Sequence, residues 1–334
     1  MRRVLALMLL LTLLLPLFPA NAEETAEQPL YRAQITGGDA GMYEDESEAH
    51  RIAYVKKGTY VRVYKVTPKF AYIEANGTMG YVYRSRLDQV TAIDSVNTPP
   101  YGVEVFQYMA TAVCDTPIYE AADSTAKVLI TLHEGARFAF IGAENGWAKV
   151  IYHRQYGYID TRLLTEVVMV KSAVDEEALD APIAVYTSYY KITTTEANIG
   201  RMKNIATACE KLSAITLQPG ESLDFNSDIG PYTEKNGYHK APVLADGKTK
   251  LNYGGGTCQV SSTLYNVVLQ LPGLTVVKRR AHGANGASYL PHGVDAAVGN
   301  KNLNFIFRND YDFPVRIDAS SQDGALYMSI WKAD

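Results

Sequence analysis

Hydrophobic and polar positions alternate with period two over much of the first half of the chain. Runs such as Thr59–Val66, Phe70–Glu74 and Ala136–Ile141 are short and bounded by Gly or Asn-Gly turns, which predicts strands joined by hairpins. The period changes between Glu196 and Leu212, where Ile199, Met202, Ile205, Cys209 and Leu212 recur every three or four residues and predict an amphipathic helix. A second helical stripe, Val260, Leu264, Val267, Val268 and Leu271, runs up to Pro272-Gly273, which ends it. A short strand follows at Leu274–Lys278. Alternation then returns in Leu303, Phe305 and Phe307, in Val315 and Ile317, and in Leu326, Met328 and Ile330, which predicts a three-stranded antiparallel meander. The expected fold class is multidomain: two small all-β barrels, then an α+β domain ending in that meander.

The barrels rest on a recurrence. Gly58 and Gly135, Gly80 and Gly157, and Leu87 and Leu164 are each 77 residues apart, and a constant offset predicts two copies of one unit, over 29–92 and 104–166. The order glycine, strand, Gly146-Trp147-Ala148-Lys149-Val150, strand, Gly157-Tyr158-Ile159, leucine resembles bacterial SH3-like (SH3b) domains. That resemblance implies modules that hold a neighbouring domain on peptidoglycan; the first copy lacks the Gly-Trp element. Tyr81, Tyr83, Tyr152, Tyr156 and Tyr158 either line a groove or cover a small barrel. Asn97-Thr98-Pro99-Pro100 reads as a stiff connector. Residues 167–182, with Asp175, Glu176, Glu177 and Asp180, read as an acidic linker before a domain over 183–334 that is expected to fold by itself.

At the start of the chain, Arg2 and Arg3 precede an uncharged run from Val4 to Phe18 and the small-residue box Ala20-Asn21-Ala22. The run is shorter than the roughly 20 residues of a spanning helix, so residues 1–22 read as a secretory signal peptide. No later stretch is apolar enough to cross a bilayer. The expectation is an exported protein, extracellular or wall-associated, or held at the membrane if the leader stays uncleaved. A net charge of −4, more negative without the leader arginines, argues against nucleic acid as a partner. Three cysteines are too few for a disulfide scaffold. Cys114 reads as a small buried residue and Cys209 as part of the helical core stripe. His50, His133, His153 and His239 read as surface polar groups.

Candidate chemistry gathers around Cys258. Gly254-Gly255-Gly256 leave the backbone bare where it turns into the second helix, with Thr257 as the expected N-cap. Cys258 then falls in the first turn, where unpaired N–H groups and the positive dipole end favour a thiolate. His282 as general base and Asp295 as its orienting partner make a nucleophile set. Gln259, or the backbone at Gly255 and Gly256, would supply oxyanion donors. Other readings stay open on the residues alone. The glycines can form a purely structural turn in a binding module; Cys258, His282, His292 and Asp295 can make a metal site, although without the short spacing of strong metal motifs; Cys209 and Cys258 can pair. No cofactor or metal is called for. Lys278-Arg279-Arg280 reads as a solvated strand end, or as an attractor of wall-peptide carboxylates.

The same region carries a family resemblance. Pro219-Gly220-Glu221, Phe225-Asn226, Gly230-Pro231, Gly237-Tyr238, Ala241-Pro242, the block Gly254-Gly255-Gly256-Thr257-Cys258-Gln259-Val260-Ser261-Ser262-Thr263-Leu264-Tyr265-Asn266, and Pro291-His292-Gly293-Val294-Asp295-Ala296 are similar to the VanW family over 183–334. Leu223-Asp224 stands before Phe225 where Phe-Ser is usual. The family is named for an accessory member of glycopeptide (vancomycin) resistance clusters, so the resemblance implies an envelope role with peptidoglycan or wall peptides as partners. It implies no settled reaction. Two functions follow: a non-catalytic wall-binding or accessory module, or a thiol-dependent peptidoglycan peptidase or transpeptidase using Cys258 and His282. The order Cys, His, acid after a glycine-rich approach resembles papain-like and NlpC-type peptidases. Exposure of Cys258, with a histidine in reach, separates the two functions.

Overall fold

The computed structural model describes residues 28–94, 98, 100–175, 178–245, 248–283 and 286–334. The expected leader, with Asn97 and Pro99 of the connector and Glu176 and Glu177 of the linker, lies outside them.

The first unit contains β1 (Tyr31–Ile35), β2 (Ala40–Tyr43), β3 (Arg51–Val55), β4 (Tyr60–Val66), β5 (Phe70–Ala75), β6 (Thr78–Tyr83) and β7 (Leu87–Ala92). They form one antiparallel sheet in the order β3-β2-β6-β5-β4-β1-β7. The second unit contains β8 (Tyr108–Ala112), β9 (Thr116–Tyr119), β10 (Val128–Leu132), β11 (Arg137–Phe140), β12 (Gly142–Glu144), β13 (Trp147–Tyr152), β14 (Gln155–Asp160) and β15 (Leu164–Met169). These pair as β10-β9-β14-β13-β12 and β11-β8-β15. Strands β1, β5, β6 and β7 each begin 77 residues before β8, β13, β14 and β15. Shared local constraints accompany that spacing. Gly58 and Gly135 turn at φ 86° and 84°, a region that costs side-chain-bearing residues strain. Gly80 and Gly157 sit where a Cβ would come within 2.6 Å of Met42 and of Ile118. Alternate residues point inward and fill two small cores, Ile35, Met42, Val63 and Ile73 in one, Ile118, Phe138, Val150 and Ile159 in the other.

Most of the singled-out tyrosines cover packed surface. Tyr83 stacks on Phe70, Tyr81 leans on Tyr72, Tyr156 bonds Glu104, and Tyr152 stacks on His153 and meets Tyr189. Tyr158, by contrast, lines an open 560 Å³ groove with Trp147. Cys114 is exposed, not buried as expected: its sulfur turns to the Asp115 carbonyl in the bend before β9.

The remainder is α+β. Strands β16 (Ala184–Tyr189), β24 (Ala325–Lys332), β23 (Val315–Gln322) and β17 (Thr216–Leu217) form one antiparallel sheet in that order. Strands β18 (Ser222–Asp224), β22 (Ile306–Asn309) and β21 (Leu274–Lys278) form another, and β19 (Lys240–Ala245) with β20 (Lys248–Tyr253) makes a hairpin. Helix α1 (Glu196–Ser213) packs on β23, and α3 (Thr257–Val268) packs on β16 and β24; α2 (Phe225–Ile229) is a short turn between β18 and the hairpin. The tail is therefore a two-stranded hairpin rather than the expected three-stranded meander, because β22 belongs to a different sheet. Pro314 has no N–H to continue a ladder. The buried Asn309 amide donates to the carbonyls of Leu217 and Phe313 and fixes the crossing between sheets.

The second unit and the α+β part share one core. Phe106, Met109, Ala139 and Ile151 pack with Ile183, Tyr186 and Tyr327, each large side chain contributing roughly 1.5–3 kcal/mol on burial. Arg137 holds Asp318 through both terminal guanidinium nitrogens, at 2.5 and 3.1 Å, and the Ala139 N–H donates to Thr187 Oγ1 at 2.8 Å. Stretch 167–182 opens inside β15, buries Ala178 and Ala181, and receives Lys332 on the Asp175 carbonyl. The part beginning at 183 is thus not packed as a separate body.

Candidate thiol site

The approach to α3 runs through Gly254 and Gly256 at φ 84° and 109°. Gly256, not Thr257, is the N-cap; Thr257 Oγ1 instead donates back to the Gly254 carbonyl at 2.8 Å. A Cβ on Gly255 would stand 2.6 Å from the Pro242 carbonyl oxygen, so glycine lets this turn press against β19. From the other side the buried Asn204 of α1 donates to the carbonyls of Gly255 and His239, at 2.9 and 3.0 Å. Clamped in this way, the turn delivers Cys258 as the second residue of α3, partly exposed, with its sulfur 3.5 Å from the Val298 N–H nitrogen and 3.4 Å from the Val298 carbonyl oxygen.

Ser261, Ser262 and Asn266 follow Cys258 on one face of α3, and all three are buried. Ser261 Oγ donates to the Ala296 carbonyl at 2.6 Å, Ser262 Oγ accepts the Ala296 N–H at 2.9 Å, and Asn266 donates to the Val294 carbonyl at 2.7 Å. This polar ladder lays residues 294–298 along the helix and thereby places Asp295, whose side chain is 1% exposed. Asp295 Oδ2 accepts the His282 backbone N–H at 2.7 Å and lies 2.6 Å from His282 Nδ1. Arg279 grips the same loop, Nε donating to the Asp295 carbonyl at 2.6 Å and Nη2 to Oδ1 at 3.3 Å. It is turned inward rather than solvated at a strand end. With Nδ1 held by Asp295, the second ring nitrogen of His282 is left free for Cys258, with whose charge the ring interacts. Cys258, His282 and Asp295 thus meet in one place.

Burial disfavours the His282 imidazolium, but hydrogen bonds to Asp295 and Cys258, with the charges of both, outweigh it and raise its pKa from 6.5 to about 9. Burial likewise works against the Asp295 carboxylate; the hydrogen bonds from His282 and the positive charges of His282 and Arg279 hold it below its ordinary range. At neutral pH the pair is imidazolium and carboxylate. Two more ionisable groups interact electrostatically with the sulfur. Burial raises the Tyr289 hydroxyl, with the Cys258 charge adding to it. Burial lowers Arg201, opposed by the charges of Tyr289, Tyr190 and Cys258. Sequence reasoning passed over both, because Arg201 lies outside the apolar stripe of α1 and Tyr289 in a turn-rich loop.

Gln259 does not reach toward the sulfur. Its amide nitrogen donates to Ser188 Oγ and to the Tyr189 carbonyl, both at 3.0 Å, and its oxygen accepts from Arg201 at 2.5 Å. Both N–H bonds are spent, so its role is to tie α3 to β16 and not to donate to an oxyanion. Gly255 and Gly256 shape the turn, and the Gly255 carbonyl is taken by Asn204. His292 lies near Gly286, and no group of three or more potential metal ligands forms among the described residues. Cys209 is a free thiol in the core, not a partner of Cys258. His153 is not a plain surface residue: its Nε2 is 3.3 Å from the Tyr189 carbonyl oxygen.

Residues 200–331 match the family model described as "VanW like protein", and this part of the chain is a VanW-like domain. Among curated proteins, "Uncharacterized protein YoaR" of Bacillus subtilis (strain 168) is 29% identical over 191 residues, covering 57% of this chain and 62% of that protein. "Vancomycin B-type resistance protein VanW" of Enterococcus faecalis (strain ATCC 700802 / V583) is 29% identical over 132 residues, covering 38% of this chain and 48% of that protein. The matches thus span less than two thirds of each relative. Among solved structures, NlpC2 and NlpC1 from Trichomonas vaginalis are each 12% identical, with TM-scores of 0.17 and 0.18. NlpC2 covers 41% of this chain and 48% of its own, NlpC1 94% and 96%. Likeness at such scores says nothing about the chemistry of this site.

Proposed function

We propose that this protein is an exported, thiol-dependent acyl-transfer enzyme of the cell wall, a peptidoglycan peptidase or transpeptidase with Cys258 as nucleophile. The feature that carries the reading is that a partly exposed sulfur at a helix start lies within electrostatic reach of His282, which the buried Asp295 orients. In the reaction, the thiolate adds to a peptide carbonyl and forms an S–C bond, while the positive end of the α3 dipole favours the developing oxyanion. His282 gives its proton to the leaving amine as the C–N bond breaks. Water or a second amine then attacks the thioester, loses its proton to His282 and releases the sulfur.

The envelope setting is supported by the similarity to a vancomycin resistance protein and by the leader-like start of the chain. The strands that recur at 77 residues support reading the first two units as SH3-like repeats that hold the enzyme on peptidoglycan. Wall fragments incubated with the full-length protein and followed by mass spectrometry test the reading. Product from wild type and none from Cys258→Ser is expected; intact fragments with both proteins, although the chain sediments with sacculi, would return it to a binding module.

A further inference from the structure

A 630 Å³ hollow opens beside the thiol site, between the Asp224–Thr233 segment, the end of β20 and the turn at Gly299–Lys301. It lies within the size range of small-ligand pockets. Its link to the sulfur is one residue long. The Val298 N–H lies against Cys258 Sγ at 3.5 Å, and the next N–H, of Gly299, donates to Asn226 Oδ1 at 3.0 Å in the wall of the hollow. Tyr232 stands between the two, its hydroxyl on Asn226 and its ring against Gly254 at the start of α3.

The polar side chains of the hollow divide into spent and available groups. Asn226 and Asn304 are used by the chain itself: Asn226 donates to the carbonyls of Asn300 and Leu303, and Asn304 donates to Asp224. Asp224, the acid in the lining, also accepts the Ser227 N–H. Tyr253 gives its hydroxyl to Glu234. Among the described residues, no partner within the chain takes the Lys301 ammonium or the amide nitrogens of Asn252 and Asn300, and Lys278 spends only one N–H, on the Lys301 carbonyl. What is left over is mainly donors, two of them cationic, against the single Asp224 carboxylate, whose Oδ1 is taken by Asn304 and Ser227. Such a surface selects acceptors, and a carboxylate above all.

We propose that this hollow is the subsite for a carboxylate-bearing arm of the peptide whose carbonyl is presented to Cys258, with Lys301 and Lys278 as the determinants of that preference. This rests on the acyl-transfer reading for its geometry, but its test does not need turnover. The probe is a soluble wall stem tetrapeptide with free carboxylates, alongside the same peptide with its carboxylates amidated. Both are titrated calorimetrically into full-length Cys258→Ser protein. The acidic form is expected to bind about fivefold tighter, a difference of about 1 kcal/mol for partly exposed charges. Lys278→Gln/Lys301→Gln should erase that difference while iodoacetamide still alkylates Cys258 at the wild-type rate when the same double variant carries the native thiol. Equal affinity for the two peptides, binding of neither, or a preference that survives the double substitution overturns the subsite. A preference that vanishes with the lysines, in a protein that turns over no wall fragment, keeps the subsite and removes the enzyme.

Discussion

His282 meets Asp295 twice: its backbone N–H donates to Oδ2 at 2.7 Å, and Nδ1 lies 2.6 Å from the same oxygen. One carboxylate oxygen therefore fixes both the loop and the ring it carries. Asp295→Asn keeps the size of the side chain and removes its charge. The imidazolium loses its main support, and the variant should lower kcat by about 100-fold or more, the usual contribution of a positioned acid–base group. A companion readout is the rate of Cys258 alkylation by iodoacetamide, which should fall in the same variant.

The raised His282 value sets the direction of the pH dependence. Below about 9 the ring carries the proton that the leaving amine needs. Activity should therefore decline as pH rises through about 9, while alkylation of Cys258, which needs no proton donor, should not. The same shift acts on stability. Because the folded-state value lies above 6.5, the imidazolium's stabilisation is complete below pH 6.5 and is lost as pH rises through about 9. The Tm gap between wild type and His282→Gln should close across that window. A gap that stays constant up to pH 10 would contradict it.

How much of this was legible in the sequence depends on what each residue's neighbours are. The glycine block, the helix after it and Cys258 near its first turn follow from local backbone chemistry, which a short window contains. Ser261, Ser262 and Asn266 do not: by pattern they are the polar side of a helix, and only the return of residues 294–298 buries them and gives each a carbonyl or N–H. Arg279 reads as a solvated charge for the same reason, since its partner Asp295 arrives from 16 positions away. Tail residues 303–307 kept the right alternation but not the right neighbours, because period two gives no sheet assignment. At the junction, Phe106 and Met109 look like barrel filling when the chain is read in order, yet they pack against Tyr186 and Tyr327.

The three thiols give an internal comparison. Cys114 is exposed, Cys209 is buried in the core with its thiol pushed up by that burial, and Cys258 is partly exposed beside His282. Native protein should alkylate fastest at Cys258, more slowly at Cys114, and at Cys209 only after unfolding. His282→Ala should slow Cys258 alone. Peptide mass mapping at short reaction times checks all three, and a native Cys258 slower than Cys114 would contradict activation by the site.

The turn before α3 leaves no room for a methyl group at Gly255, where a Cβ would meet the Pro242 carbonyl oxygen at 2.6 Å and the Ala241 Cβ at 2.8 Å. Gly255→Ala should cost about 1–3 kcal/mol, as overpacking does elsewhere, and shift the first turn of α3. Urea denaturation reads the first effect and Cys258 alkylation the second. An alanine variant as stable and as reactive as wild type would mean that the turn yields without moving the sulfur.

The second β unit reaches the thiol site through Arg154, whose guanidinium donates to the Ala287 and Leu290 carbonyls at 3.3 and 3.4 Å. Those carbonyls flank Tyr289, which interacts electrostatically with the sulfur. The unit also covers the surface of β16 and β24 through the shared core of Phe106, Met109 and Ala139. Two outcomes are expected. A chain of residues 183–334 should aggregate, because it exposes Ile183, Tyr186 and Tyr327, whereas 104–334 should remain soluble and alkylate Cys258 at the full-length rate. Arg154→Ala, in the full chain, should slow that alkylation severalfold with little change in Tm, since the core is untouched and only the Tyr289 loop loosens. A soluble 183–334 with a cooperative melt and full thiol reactivity would show that the second unit is attached to the site without supporting it.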